Sequence, residues 1–168
     1  ELILRPDPNV WDGRFANNGW LQELPKPTTK LTWDNAAHIS PATAEKLDLH
    51  NEDVVELKCN GHMIEAPIWI SPGHPDDSVT LHLGFGRTHA GRVGNEVGVN
   101  AYVLRTSHSL WGRQRLELSK TGRQHTLACT QDHFSMEGRE LVRQTTVEKF
   151  QADPTFAQKL EHDPTPDQ

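Results

Sequence analysis

HISPATAEKLDLHNEDVVELKCNGHMIEAPIWI, residues 38 to 70, decides the fold. Ser40 is a good helix N-cap, and Pro41 suits the first helical position, where a missing N–H costs nothing. Residues 42 to 47 continue that short helix, and its periodicity stops at Asp48-Leu49. In the strand that follows His50-Asn51-Glu52-Asp53, Val55, Leu57 and Cys59 share one face while Glu56 and Lys58 face the other way. Asn60-Gly61 accepts φ > 0 at both positions and predicts a tight hairpin. On the return strand His62, Ile64, Ala66, Ile68 and Ile70 fall on one face.

Working outward, Leu2 to Arg5 reads as an opening strand that Pro6 and Pro8 end. Trp11 to Pro27 reads as a long loop, and loops of that length are functional or pinned to a neighbour. Lys30 to Trp33 reads as a brief extended piece. After the Ser71-Pro72-Gly73 turn, Val79, Leu81 and Leu83 alternate on a further strand. The glycines at 84, 86, 91, 94 and 98 predict unusual backbone or close approach to another surface. Ala101 to Thr106 is expected to be a strand. Lys120-Thr121-Gly122-Arg123 is expected to turn a second hairpin between residues 115–118 and 125–129.

From Thr130 the character changes. Thr145 with Glu148 has capping-box spacing, and Asp153-Pro154 looks like a second helix start. The division is therefore a β domain over residues 1–130 and a helical extension over 131–168, with its last few residues disordered.

Composition narrows the function. At 168 residues the chain can bury a substantial core, with 35% hydrophobic residues and a mean hydropathy of −0.67. A formal charge of −6 argues against nucleic acid as the main partner. No apolar run approaches the ~18 residues of a membrane span. The chain opens on Glu1 rather than methionine, which suggests a piece of a longer polypeptide. Two cysteines, Cys59 and Cys129, are too few for a four-thiolate iron–sulfur cluster and read as buried thiols. The redox compartment stays open.

The Ser-Pro-x-x-Ala-x-x-Leu-x-Leu segment, followed by a polar turn ending in Asp-Val-Val and a hairpin, resembles the C-terminal molybdopterin-dinucleotide-binding domain of molybdopterin oxidoreductases. Three further stretches narrow the resemblance: NNGWLQELPKPTTKLTWDNAAHISPATAEKL, LHLGFGRTHAGRVGNEVGVNAYVLR and TQDHFSMEGRELVR. They are most similar to the iron–sulfur, molybdopterin-oxidoreductase-like subunit of alternative complex III, a quinol:cytochrome c oxidoreductase. The resemblance spans most of residues 3 to 145. It implies a mainly β fold, a double-psi β-barrel of the aspartate-decarboxylase-like type.

It also implies a cofactor, molybdopterin guanine dinucleotide, in the parent protein, with iron–sulfur clusters carried elsewhere in that parent. The expected partners are other domains of the same polypeptide and subunits of a membrane-bound respiratory complex. Its expected place is the periplasmic side of a bacterial inner membrane. Arg14, Asn17, Asn18 and Gln22 have the donors that phosphate and pterin edges need. The other reading is that Trp20 and Asn18 pin this loop to an adjoining domain. His82 and Asn100 loosely match family positions near the far end of the cofactor; the local alternatives are a solvent-facing histidine and a turn cap. His74, His82 and His89, with Asp76 and Asp77, could make a metal site, but no tight ligand spacing occurs and no metal is expected. No Gly-Ser pair and no nucleophile motif occurs, so no catalytic residue is assigned. Two readings remain: a structural domain over a vestigial cofactor cleft, or a working dinucleotide-binding domain.

Two departures from the family pattern are testable in the structure. Asp48 and Glu52 stand where glycine is common, at a cost of about 1 kcal/mol each if φ is positive, unless a hydrogen bond offsets it.

Overall fold

Alternation of apolar side chains decides which way each strand faces. The structure, a computed structural model, describes residues 1–112, 114–131 and 143–158. Six strands form one mixed sheet: β1 (Leu2–Pro6), β2 (Ala37–Ile39), β3 (Asp53–Cys59), β4 (His62–Ile70), β5 (Val79–Leu83) and β6 (Glu117–Gln124), in the order β1-β5-β2-β4-β3-β6. β1 with β5 and β2 with β4 run parallel; β2–β5, β3–β4 and β3–β6 run antiparallel. Leu2, Leu4, Ile39, Val55, Leu57, Ile68, Leu81, Leu83 and Leu104 are all at most 1% exposed and form the core. The chain is thus mostly sheet with a few short helices.

The central motif folds as its residues dictate. Helix α2 (Pro41–Leu47) follows helix α1 (Gly19–Glu23) in the chain, and the Ser40 side chain caps it by accepting from Thr43 N at 3.1 Å. Asp48 ends the helix in the left-handed conformation, φ 51°. Glu52 is also left-handed, φ 74°, and its Oε1 accepts the Leu127 backbone N–H at 2.8 Å. That bond offsets the strain of a non-glycine and ties the turn to residue 127.

Asn60 and Gly61 turn the β3–β4 hairpin with φ of 51° and 80°. A Cβ on Gly61 would meet nothing within 4 Å, so only backbone strain opposes substitution. Gly61→Val should therefore cost about 1–2 kcal/mol. An unchanged urea midpoint would show that the turn tolerates valine.

Pro67 lies inside β4. Ile68 O accepts from Glu52 on the β3 side, and Ser71 N donates to Ile39 O of β2. By strand parity the Pro67 nitrogen points toward the β2 side, just before β2 begins opposite Ile68. No ladder bond is lost.

Several expectations need correction. Residues 120–123 are not a hairpin: β6 is one strand paired with β3, and two residues of β3 oppose four of β6 between Asp53 and Val55. Gly122, φ 77°, supplies that bulge rather than a turn. Residues 101–104 form a 3-10 turn instead of a strand, capped by Asn100. The long loop contains α1, and β2 occupies residues 37–39, to which the sequence reading assigns no element. Residues 30–33 form no strand, only a bridge from Leu31 to Cys129.

Internal contacts divide the chain into Glu1–Thr130 and Gln131–Gln168. In the second unit, α3 (Val147–Ala152) is capped by Thr146 rather than Thr145, and Asp153 Oδ1 accepts from Thr155 N before a 3-10 turn at Phe156–Gln158. The remaining helix expected there, and the disordered end, lie outside the described residues. Among the described residues, no helix is long and apolar enough to cross a membrane.

Candidate functional site

Glycine crowding brings the loop after β1 against the glycine-rich stretch after β5. A Cβ on Gly91 would lie 2.3 Å from the Asn17 amide, and one on Gly94 2.5 Å from Ala16 O. Asn17 Oδ1 accepts the Val93 N–H at 3.1 Å, which locks the two loops together. Asn18 caps α1, accepting from Leu21 N at 3.3 Å. Gln22 is buried and donates to Ala16 O at 3.1 Å. Arg14 forks onto Asp12, Nε to Oδ1 at 2.9 Å and Nη2 to Oδ2 at 2.7 Å. That fork lowers the Asp12 carboxyl to about 2.

Asn100 sits apart from Arg14 in the chain but near its partner. Its Oδ1 accepts from Tyr102 N at 3.1 Å, and the Tyr102 hydroxyl donates to Asp12 O at 2.9 Å. Asp12, Arg87, His89, Asn100 and Tyr102 line a cavity of about 490 Å³. Burial, then the neighbouring Asp12, raises the Tyr102 phenol above its ordinary value, keeping it a donor. Arg87 forms no ion pair among the described residues, and its guanidinium covers Gly13. Arg87, Asp12 and Tyr102 were not singled out by sequence; a lone Arg after Gly-x-Gly was the only trace.

His82 belongs to a different place. It is half-buried on β5, not solvent-facing, with its ring 5.1 Å edge-on from that of His38 on β2. Burial, then His82, His74 and Lys26, lowers His38 to about 3 from an ordinary 6.5. Above pH 6.5 His38 is neutral whether folded or not, so it contributes no pH dependence. Between 6.5 and about 3 only the unfolded chain takes up its proton, so stability falls on acidification. His38→Gln should flatten that slope in denaturant titrations, and an equal slope would refute the assignment.

The other expected ligands also separate. Asp76 accepts from Ser40 Oγ and Asp77 pairs with Lys46 at 2.8 Å, so both anchor α2. His89 lines the loop cavity, away from His74. Among the described residues no three His, Cys, Asp or Glu converge as metal ligands. Cys59, buried, and Cys129, half-buried, are not joined in a disulfide.

The loop donors do not fit a tightly held dinucleotide. A pyrophosphate needs unengaged cations and amides. Arg14 is already neutralised by Asp12, Asn17 and Asn18 hold backbone N–H groups, and Gln22 is buried. Arg87, which lines the cavity, forms no ion pair among the described residues.

No protein-family model and no curated protein sequence matches the chain. Among solved structures it is similar to the acetylene hydratase from Pelobacter acetylenicus, with a TM-score of 0.50 and 16% identity, over 71% of this chain and 18% of that chain. What they share is a fold. This chain spans less than a fifth of that protein's length.

Proposed function

We propose that the chain is the C-terminal double-psi β-barrel domain of a molybdopterin-oxidoreductase-like, iron–sulfur-associated subunit of a respiratory complex of the alternative complex III kind. Its role there is structural, covering a vestigial cofactor cleft on the periplasmic side. Electrons pass through clusters held elsewhere in the parent. One observation carries this reading: in the loop over residues 12–24 the candidate ligand donors are engaged within the domain while large apolar side chains stand exposed. Arg14, Asn17, Asn18 and Gln22 are all bonded within the domain, while Trp20 is 86% exposed and Phe15 and Leu24 are exposed with it. Such a surface suits docking on an adjoining domain of the same polypeptide.

Barrel closure has its own support. β1 and β6 end the strand order, yet Gln114, just before β6, bridges Leu2 of β1. Its side chain also reaches Cys59 Sγ at 3.0 Å and Asn60 Nδ2 at 2.9 Å, at the end of β3. The segment just before β6 is thereby held against β1 and the end of β3.

The second reading, a working domain for molybdopterin guanine dinucleotide, rests on Arg87 beside Asn100 in the loop cavity. Metal analysis and pterin fluorescence of the parent polypeptide separate the two. The structural reading expects neither molybdenum nor pterin at stoichiometric level, and finding either overturns it. Trp20→Ala should leave the stability of the 168-residue chain within about 0.5 kcal/mol, because the ring is exposed. The same change should lower the parent's melting temperature, and an unchanged parent would remove the docking argument.

A further inference from the structure

The sheet has a second face, and register decides what it displays. β1 pairs Arg5 with His82 and Ile3 with Thr80 of β5; β2 pairs His38 with Thr80 and with Trp69 of β4. These residues alternate with core leucines, so all of them stand on the side away from the core. With the loop over 71–75 they enclose a cleft of about 470 Å³. Its polar lining includes Arg5, His38, His74, His82, Ser71 and Thr80 beside two further threonines, and among the described residues no carboxylate lines it, in a chain of net charge −6.

The hydrogen bonds in the cleft leave imidazole nitrogens over. His74 Nδ1 lies 3.1 Å from Pro75 O, which only accepts, so that nitrogen carries the proton and Nε2 accepts from Thr80 Oγ1 at 2.8 Å. His38 Nδ1 is 3.0 Å from Ser71 Oγ. When that hydroxyl donates, the proton sits on His38 Nε2. This nitrogen is buried without a partner among the described residues, as is His82 Nδ1, and His38 is only 5% exposed. Arg5 forms no ion pair among the described residues. Buried imidazole nitrogens without partners are costly unless something meets them.

We propose that this cleft binds an oxyanion group, such as the phosphoryl or carboxylate of a small molecule, held by Arg5 with the imidazoles of His38 and His82. The proposal does not rest on the structural role argued above. Each imidazole faces a crowd of charge: His82 faces Asp7, Lys26, Arg5 and His38; His38 faces His82, His74 and Lys26; His74 faces Arg5. Burial and these cations, against Asp7 alone, keep the rings neutral. A bound anion favours their protonation, so its affinity rises as pH falls.

Sulfate is the probe, because its charge stays constant across the pH range, and acetate replaces it in a parallel titration. Both are titrated at constant ionic strength into the 168-residue chain while the histidine imidazole NMR signals are followed. The expected result is a saturable shift of His38, His74 and His82 but not of His62, tightening between about pH 7.5 and 5.5. Arg5→Gln should weaken it about tenfold. His74→Gln gives a second measure should Arg5→Gln not fold. Saturation by sulfate alone assigns a phosphoryl-type ligand, and by acetate alone a carboxylate. Absence of saturation with both, or unchanged affinity in the folded variants, overturns the proposal.

Discussion

Replacing Asp7 with alanine is expected to destabilise the Glu1–Thr130 unit by about 3–5 kcal/mol. Asp7 is fully buried and Lys26 is 4% exposed, with Nζ 3.7 Å from Oδ2. Asp7 Oδ1 also accepts from Asn9 N at 2.9 Å and Val10 N at 3.0 Å, shaping the exit from β1. Without the Asp7 carboxylate, the ammonium keeps the Asp34 carbonyl at 2.8 Å, the charge of the Asp34 side chain and the Phe85 ring at 5.0 Å. Burial already pushes the Lys26 ammonium below its ordinary value. The stranded ion, more than the lost contacts, sets the cost. Adding Lys26→Met to Asp7→Ala should recover part of the loss, giving strong non-additivity. Urea unfolding of the four species checks this, and a loss below about 1 kcal/mol for Asp7→Ala would show that the pair is not dry.

Gly86→Ala is the second large effect, about 3 kcal/mol or more. A Cβ at Gly86 would lie 2.1 Å from Asn100 N and 2.5 Å from Val99 C, both backbone atoms, and φ is +66°. Gly86 N also donates to Val97 O at 2.7 Å. Neither strand of backbone can yield without opening the loop that carries Asn100 and Tyr102. Gly73→Ala, also at positive φ but with open space, controls for strain alone and should cost about 1 kcal/mol. Equal midpoint shifts for the two variants would refute the close-approach argument.

How much of this was legible depends on the range of the interaction. Ser40-Pro41, Asn60-Gly61 and the alternation of β3, β4 and β5 are local signals, and the elements they predict are the ones observed. Gly122 misled, because a glycine at positive φ serves a bulge as readily as a hairpin turn, and only pairing with β3 chooses between them. Residues 101–104 carry strand-like composition, yet Asn100 caps them into a 3-10 turn. For the candidate site, residue chemistry indicated which side chains could bind phosphate or pterin. It did not indicate which were already engaged. Arg14 meets Asp12 two positions away, but Asn17 meets Val93 and Asn100 reaches the Asp12 loop through Tyr102.

By itself, then, the sequence determined helix α2, the Asn60-Gly61 hairpin and the inward faces of β3, β4 and β5, since periodicity, capping and turn chemistry act over a few residues. The tertiary structure alone decided strand order, the burial of Asp7 against Lys26, and the register that sets Arg5 beside His82 and His38 beside Thr80. Those are pairings between distant residues, chosen by the packing of the whole sheet, and no local pattern encodes them.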